Sequence, residues 1–409
     1  MSAMSPMYDP WEALLSRNSQ GEIRLSSIEV TVTGRCNLRC EHCAVGDTLT
    51  ITEERPDIGP LLRRLDEIDH LTTLSITGGE PSYNRELIES TVLPLLRYAK
   101  NRGCQTQINT NLTLDVDRYF LIAPFVDVMH ISYNYLTPED FAVLTFAGLR
   151  RRPAPKTAEA LFQRLEANTR RLAAEGVFVS AESMISPRTQ GRLTKIHRRL
   201  AELGVRRHEV HPLYPSDFAR ELPLLGLDDW RAEALALLDG RDPRVWILFG
   251  TFPFYPCSDD PRDRELLARI AREPGVTVRN DPDGRIRLNV NLLDGGIYVT
   301  DFADMGPIGN WHREPIRDAF ERWRDQWRHT RFGCQCPHVG CLGPNVLVAE
   351  AYYPGVDFRR RRAPEESGWR GRYAISGVPV SGERESVRGE GNPAKVADGR
   401  LNIDSPALG

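Results

Sequence analysis

From about Ser26 to Pro212 the chain switches repeatedly between two hydrophobic periods, and this alternation constrains its fold more than any other feature. Six short β-branched, apolar runs read as buried strands: SIEVTVT after Ser26, LTTLSIT ending at Thr77, CQTQINTN from Cys104, VDVMHISYN from Val126, GVFVSAESMI from Gly176 and VRRHEVHPL from Val205. Between them, apolar residues recur at helical spacing: Leu87, Ile88, Val92, Leu95, Leu96 and Ala99, then Leu161, Phe162, Leu165 and Leu172, then Leu193, Ile196, Leu200 and Leu203. Gly103, Gly176 and Gly204 stand where helix C-caps are expected. Six successive strand–helix units predict an α/β fold with a parallel sheet, curled into a barrel or partial barrel over residues 26–215. In such folds chemistry gathers at the C-terminal ends of the strands.

The rest of the chain reads differently. Residues 1–25 form an N-terminal extension. From 216 to 358 we expect a smaller α+β domain. It has an amphipathic helix from Leu227 to Leu238, the run VWILFGTFPFYPC, and a hairpin turning at Asp294-Gly295-Gly296. From 359 to 409 the composition is rich in Gly, Arg, Glu, Ser and Pro and poor in apolar residues, so we expect a disordered tail. Its Arg359–Arg362 run reads first as a solvated segment and second as a contact for RNA or acidic partners. A formal net charge of −3 argues against a general nucleic-acid or membrane-surface binder. No apolar run has the length of a membrane span and no signal peptide is evident, so the expected location is the cytoplasm. Thiols stay reduced there, and clustered cysteines point to metal binding or catalysis.

The segment TGRCNLRCEHC, Thr33 to Cys43, places Cys36, Cys40 and Cys43 in a loop after the first strand. Thiolates at this spacing bind zinc or iron–sulfur clusters. Structural zinc needs four protein ligands, and no second cysteine pair follows Cys43. A [4Fe-4S] cluster on three thiolates instead leaves one iron open to a cofactor or substrate.

These residues resemble the signature of the radical S-adenosylmethionine (SAM) enzymes: Cys36, Cys40 and Cys43 in the C-x3-C-x2-C spacing, with Asn37 and Leu38 between. The resemblance implies that the barrel is a partial (β/α)6 TIM-like one, with a [4Fe-4S] cluster and SAM as cofactors. His42 stands where the family usually has an aromatic residue that packs on adenine, and a planar imidazole can stack too. After the second strand, Gly78, Gly79, Glu80 and Pro81 form the GGEP element that in this family holds the SAM amino group. Glycines there let a ligand approach the backbone, and Glu80 offers an acceptor for the ammonium. By the same resemblance Ser132 and Glu182, on the fourth and fifth strands, become candidates for the SAM ribose and carboxylate, and Val210 and Pro212 for flanking adenine; Asn111, at the end of the third strand, is a further cofactor-binding candidate. Each competes with an ordinary strand-end or packing role. His130, His208 and His211 read as structural rather than as ligands, Cys104 as a buried small hydrophobe, and Tyr133, Tyr135 and Tyr214 as packing residues before cavity-lining ones.

A second cysteine group, Cys334, Cys336 and Cys341 in FGCQCPHVGCLGPN, closes to four thiolates only if Cys257 joins it. Its surroundings resemble a shortened SPASM or twitch extension, with Thr300 and Asp301 near the place of the missing hairpin cysteine, and the combination resembles the YfkAB-type CxCxxxxC radical SAM proteins. This implies a second [4Fe-4S] cluster, with zinc as the alternative. The family resemblance implies reductive cleavage of SAM to a 5'-deoxyadenosyl radical that abstracts hydrogen from a substrate. The substrate is expected to be a peptide or protein, with a separate recognition protein, or else a small metabolite. An electron donor such as flavodoxin or ferredoxin is also implied. A non-catalytic iron–sulfur or zinc redox-sensing protein is the competing class.

Overall fold

The computed structural model describes residues 8–16, 24–50, 57–255, 258–279, 282–302, 305–329, 348–349 and 351–356. Cys257, Cys334, Cys336, Cys341 and the 359–409 segment lie outside the described residues.

The expected strands and helices form. In chain order they are β1 (Ser27–Thr31), α1 (Gly59–Asp66), β2 (Thr73–Thr77), α2 (Arg85–Leu87), α3 (Leu93–Asn101) and β3 (Gln105–Thr110). Then come α4 (Val116–Ile122), β4 (Val128–Ser132), α5 (Pro138–Thr145), α6 (Pro155–Ala174), β5 (Val179–Ile185), α7 (Leu193–Glu202) and β6 (Arg207–Pro212). A π turn, Ile88–Val92, joins α2 to α3. It precedes Pro94, which has no N–H to give to a regular α-helical ladder. Gly103, Gly176 and Gly204 have φ of 74°, 83° and 84°, the left-handed conformation that ends a helix.

The strand–helix alternation then runs two units further than the sequence pattern disclosed. After α8 (Leu227–Gly240), β7 (Trp246–Phe249) pairs parallel to β6. After α9 (Pro261–Arg272), β8 (Val276–Val278) pairs parallel to β7. The chain next returns to the opposite edge, where β9 (Arg287–Asn291) lies parallel to β1. The expected hairpin follows: β10 (Gly296–Tyr298) pairs antiparallel to β9, and β11 (Gly309–Asn310) to β10. Helix α10 (Ile316–His329) ends the described run. The strand order is β11-β10-β9-β1-β2-β3-β4-β5-β6-β7-β8, an open sheet and thus a partial barrel.

The core lies between this sheet and the outer helices. Ile28, Val30, Leu74, Ile76, Ile108 and Ile131 are fully buried against Leu61, Leu65, Ile88, Leu95 and Leu96. Alternate residues on the same strands are polar and stand side by side in register: Glu29 with Asn289 and with Ser75, Ser75 with Gln107, Asn109 with His130, His130 with Ser180, Ser132 with Glu182, and Glu182 with Glu209. TIM-barrel interiors are usually filled by branched apolar side chains. Here the concave face is polar.

Candidate active site

The Thr33–Cys43 loop leaves the end of β1 and is pinned from three sides. Toward the β2 end, Gly79 N donates to Thr33 O at 2.7 Å and Glu80 N to Arg35 O at 2.8 Å. Toward α5, Arg39 N donates to Thr145 O at 2.9 Å and Glu41 N to Leu144 O at 2.7 Å. Beneath it, Leu38 is buried in the main core. The Glu41 carboxylate, itself buried, receives the Arg188 guanidinium through two hydrogen bonds of 3.1 and 3.0 Å.

Cys36, Cys40 and Cys43 are free thiols, all partly exposed, and they line one cavity. Leu38 N donates to Cys36 Sγ at 3.4 Å, and Asn111 Nδ2 lies 3.8 Å from the same sulfur. Burial pushes the Cys36 thiol up to about 12 and Cys43 up to about 11. Such thiols stay protonated alone and ionise when a metal centre binds them. The two glycines next to them make a tight cradle. A Cβ on Gly78 would sit 2.5 Å from Thr33 O, and one on Gly79 2.4 Å from Arg35 O. Gly78 also has φ of 141°, which only glycine adopts without strain. Among the described residues no three His, Cys, Asp or Glu side chains are arranged to hold a metal ion; the donor set that fits an iron–sulfur cluster is three free thiols lining one cavity beside an accessible backbone cradle.

Most of the residues expected to hold SAM converge here. His42, Gly78, Gly79, Asn111, Ser132, Glu182 and Pro212 all line the cavity. Asn111 also braces the cysteine loop, donating to Asn37 Oδ1 at 2.9 Å while Thr113 donates to its own Oδ1. Burial lowers His42, which stays neutral. Glu80, Pro81 and Val210 are placed elsewhere. Glu80 is fully buried behind the wall, and its carboxylate accepts from Thr110 Oγ1, Asn111 N and Ser82 N at 2.8–3.0 Å. It ties the β3 end to the β2 end, and nothing of it lines the cavity. Pro81 follows it out of the lining. Val210 points the other way, into the outer core with Trp230, Leu237 and Phe249, because Glu209 and His211 occupy the inward positions of β6.

Sequence reasoning missed the charged walls. Glu29, His130, Glu209, His211, Arg279, Arg287 and Asp301 all line the cavity. His211 Nε2 lies 2.8 Å from Glu209 Oε1 and 3.8 Å from Glu182 Oε1, while His130 Nε2 is 3.4 Å from Glu182 Oε2. Burial works against the Glu209 charge, but Arg279 and Arg207 outweigh it and hold the carboxylate well below its usual range. Asp301 differs: desolvation, then Glu29 and Asp283, push it above the ordinary carboxyl value. The signal was available in the strands themselves. The alternations I-E-V, Q-I-N, H-I-S and E-V-H each give one apolar and one polar face, and the polar face of a helix-covered strand must look into the barrel. At the end of β7, Thr251 has φ of 43°, a strained conformation for a β-branched residue, and its hydroxyl lies 3.0 Å from His211 Nδ1. His208 and Cys104 take the structural roles expected of them. His208 is buried and stacked on His197, and Cys104 is buried with its thiol donating to Leu71 O. Tyr135 and Tyr214 line the cavity, whereas Tyr133 hydroxyl bonds Glu166.

Comparison with known proteins identifies the class. Residues 30–185 match the radical SAM superfamily and residues 213–363 the YfkB-like domain. The chain belongs to the radical SAM superfamily, in the group that carries a YfkB-like domain. Within that group it is 48% identical over 362 residues to putative protein YfkA of Bacillus subtilis (strain 168), across 88% of this chain and 97% of that one. A stretch of 133 residues, 30% of this chain and 38% of the relative, is 29% identical to GTP 3',8-cyclase of Heliobacterium modesticaldum. In fold, the chain is similar to SuiB of Streptococcus suis bound to its precursor peptide SuiA, with TM-score 0.54 and 13% identity, covering 84% of this chain and 75% of that one. It is also similar to anSMEcpe with bound AdoMet, with TM-score 0.53 and 16% identity, covering 72% and 80%. Among the described residues no helix is long and apolar enough to cross a membrane.

Proposed function

We propose that the chain reductively cleaves SAM at a [4Fe-4S] cluster held by Cys36, Cys40 and Cys43 and abstracts hydrogen from a peptide or protein substrate. The observation that carries this reading is the meeting of three cavity-facing thiols with the Gly78–Gly79 backbone at the C-terminal ends of β1 and β2. When bound, the cluster and SAM supply one-electron cleavage of a sulfonium and a hydrogen-abstracting nucleoside radical. The chain's own residues bind and orient. Leu38 N and Asn111 Nδ2 point donors at the Cys36 sulfur, a contact that stabilises a thiolate. The Gly78 and Gly79 backbone, unhindered by side chains, would hold the amino-acid end of SAM. Ser132 and Glu182, which line the cavity, would hold the ribose, and His42 and Pro212 the adenine. Glu80 acts indirectly, by fixing the loop that carries Asn111.

The neighbours crystallised with peptides, SuiB with SuiA among them, favour a peptide substrate. A second reading, a small polar metabolite, draws on the charged wall of Glu29, Arg287, Asp301 and His130, which suits a charged or hydrogen-bonding group. Cys257, Cys334, Cys336 and Cys341 would hold a second [4Fe-4S] cluster or, alternatively, zinc. Anaerobic reconstitution tests the whole reading. The protein should take up twice the iron of one cubane, or one cubane plus zinc, and release 5'-deoxyadenosine from SAM with dithionite. Cys40→Ala should abolish release and leave only the second centre's metal. Zinc alone in the N-terminal triad, with no 5'-deoxyadenosine formed, would sink it in favour of a binding or sensing protein.

A further inference from the structure

An electron must reach the Cys36–Cys43 loop without crossing the cavity that SAM and substrate fill. The loop has two faces. Cys36, Leu38, Cys40 and His42 line the cavity, whereas the intervening Arg39 and Glu41 do not. That outer face is joined by backbone hydrogen bonds to the α5 exit. Arg39 N donates to Thr145 O, and Gly148 N returns to Arg39 O at 3.0 Å. Two residues beyond Gly148 the chain runs Arg150, Arg151 and Arg152, all exposed, followed by exposed Lys156 at the start of α6. The Arg39 guanidinium donates to the carbonyls of Cys36 and Leu38 at 2.9 and 2.7 Å. Among the described residues none of these five cations has a carboxylate partner, although many other arginines are paired, on the surface and in the interior. The nearest exposed acid in sequence, Glu159, accepts from Gln163 on its own helix. No residue from Leu136 to Ala154 lines the cavity.

We propose that Arg150, Arg151 and Arg152, with Arg39 and Lys156, form the docking surface for a small acidic protein that carries one electron at low potential. The proposal rests on the radical SAM reading above and gives that site its partner's place. An uncompensated cationic patch steers an acidic partner and sets its orientation more than its affinity. It begins two residues after Gly148, which is hydrogen-bonded to Arg39 in the loop that carries all three thiols. A recognition protein for the substrate would also dock outside the cavity; the backbone link from the patch to the cysteine loop favours the electron carrier, and a patch used for substrate recognition would leave the carrier requirement for SAM cleavage unchanged. Backbone hydrogen bonds, Arg39 to Thr145 and Gly148 to Arg39, tie the segment that leads into the patch to the cysteine loop.

The test uses the reconstituted full chain and the variant Arg150→Glu/Arg151→Glu/Arg152→Glu, with 5'-deoxyadenosine release as readout. The reductants are a bacterial flavodoxin with its reductase, a ferredoxin with its reductase, and dithionite at high salt, where a small anion does not sense the patch. With a protein reductant, the variant should need roughly tenfold more carrier or beyond for half-maximal rate, and lose most of the salt dependence that the wild type shows. With dithionite the two should match. An unchanged requirement for both carriers overturns the proposal, as does a parallel loss with dithionite, which would place the damage in the cluster site. A wild-type chain that cleaves SAM with dithionite but accepts neither carrier overturns it too. A wild type inert with dithionite instead removes the parent reading, and this one with it.

Discussion

At the scale of single residues, Gly79 and Gly103 separate the effect of the site from that of the fold. A Cβ on Gly79 would lie 2.4 and 2.6 Å from the carbonyl oxygen and carbon of Arg35, both backbone atoms that cannot rotate away. The cysteine loop itself must shift. Gly79→Ala should therefore cost about 1–3 kcal/mol and reduce iron retention after desalting. Gly103, with φ of 74° and open space around it, is the control: Gly103→Ala pays only the left-handed backbone penalty, about 1–2 kcal/mol, and keeps its iron. Urea denaturation and iron content read both effects. Equal iron in the two variants would show that the close approach has nothing to do with the cluster. The cysteines and the glycine pair were legible because their chemistry is written in local spacing. Glu80 and Val210 were not legible, because the face of a strand and the partners of a carboxylate are settled by neighbours distant in sequence. Thr110 and Asn111 claim Glu80, and the outer helices claim Val210.

At the scale of elements, the helices are held by side chains that the hydrophobic pattern does not disclose. Glu166 on α6 is buried and accepts two hydrogen bonds from Arg199 of α7, at 2.7 and 2.6 Å, plus one from Tyr133 just past β4 at 3.0 Å. Burial alone would raise its pKa, but the Arg199 and Tyr133 hydrogen bonds prevail and hold it below the usual carboxylate range. A depressed carboxyl stabilises the fold above its unfolded value, near about pH 4.3, and this contribution is lost as pH falls through the lower folded value. Glu166→Gln should thus cost about 1–3 kcal/mol at neutral pH, less whatever solvent screens at the one-third-exposed Arg199. The gap from wild type should narrow in acid, and paired urea titrations across pH would show it. A gap that stays constant below the unfolded carboxylate value would exclude the ionic contribution. Six strands and the long helices were readable from β-branched runs and helical spacing. β7 and β8 were not: WILF lies inside a continuous apolar run with no period, and VTV is only three residues long.

At the scale of the whole molecule, a polar barrel interior needs a floor, and the N-terminal extension supplies it. Trp11 is buried with Val128, Phe178, Trp246 and Leu248, residues at or near the N-terminal ends of β4, β5 and β7, opposite the cysteine loop. Its indole N–H donates to Ser75 Oγ on β2 at 3.0 Å. Asp9, fully buried, accepts from Arg279 Nε at 2.6 Å and lies 3.9 Å from Arg207, so the segment also anchors the arginines that neutralise Glu209. The inward charges are thereby linked from the floor upward: Asp9 to Arg279, Arg279 to Glu209, Glu209 to His211, and His211 to Glu182 at the cavity. Removing Trp11 should open the bottom of this column. We expect Trp11→Ala to cost about 3–5 kcal/mol, and Trp11→Phe far less, since the ring area stays and one hydrogen bond of about 1 kcal/mol is lost. Because Asp9 sits two residues away, Trp11→Ala should also free the Arg279 guanidinium and weaken its hold on Glu209, whereas Trp11→Phe should not. Chemical denaturation measures the first effect and the NMR-detected titration of His211 the second. A Trp11→Ala variant as stable as wild type would show that the extension does not close the barrel.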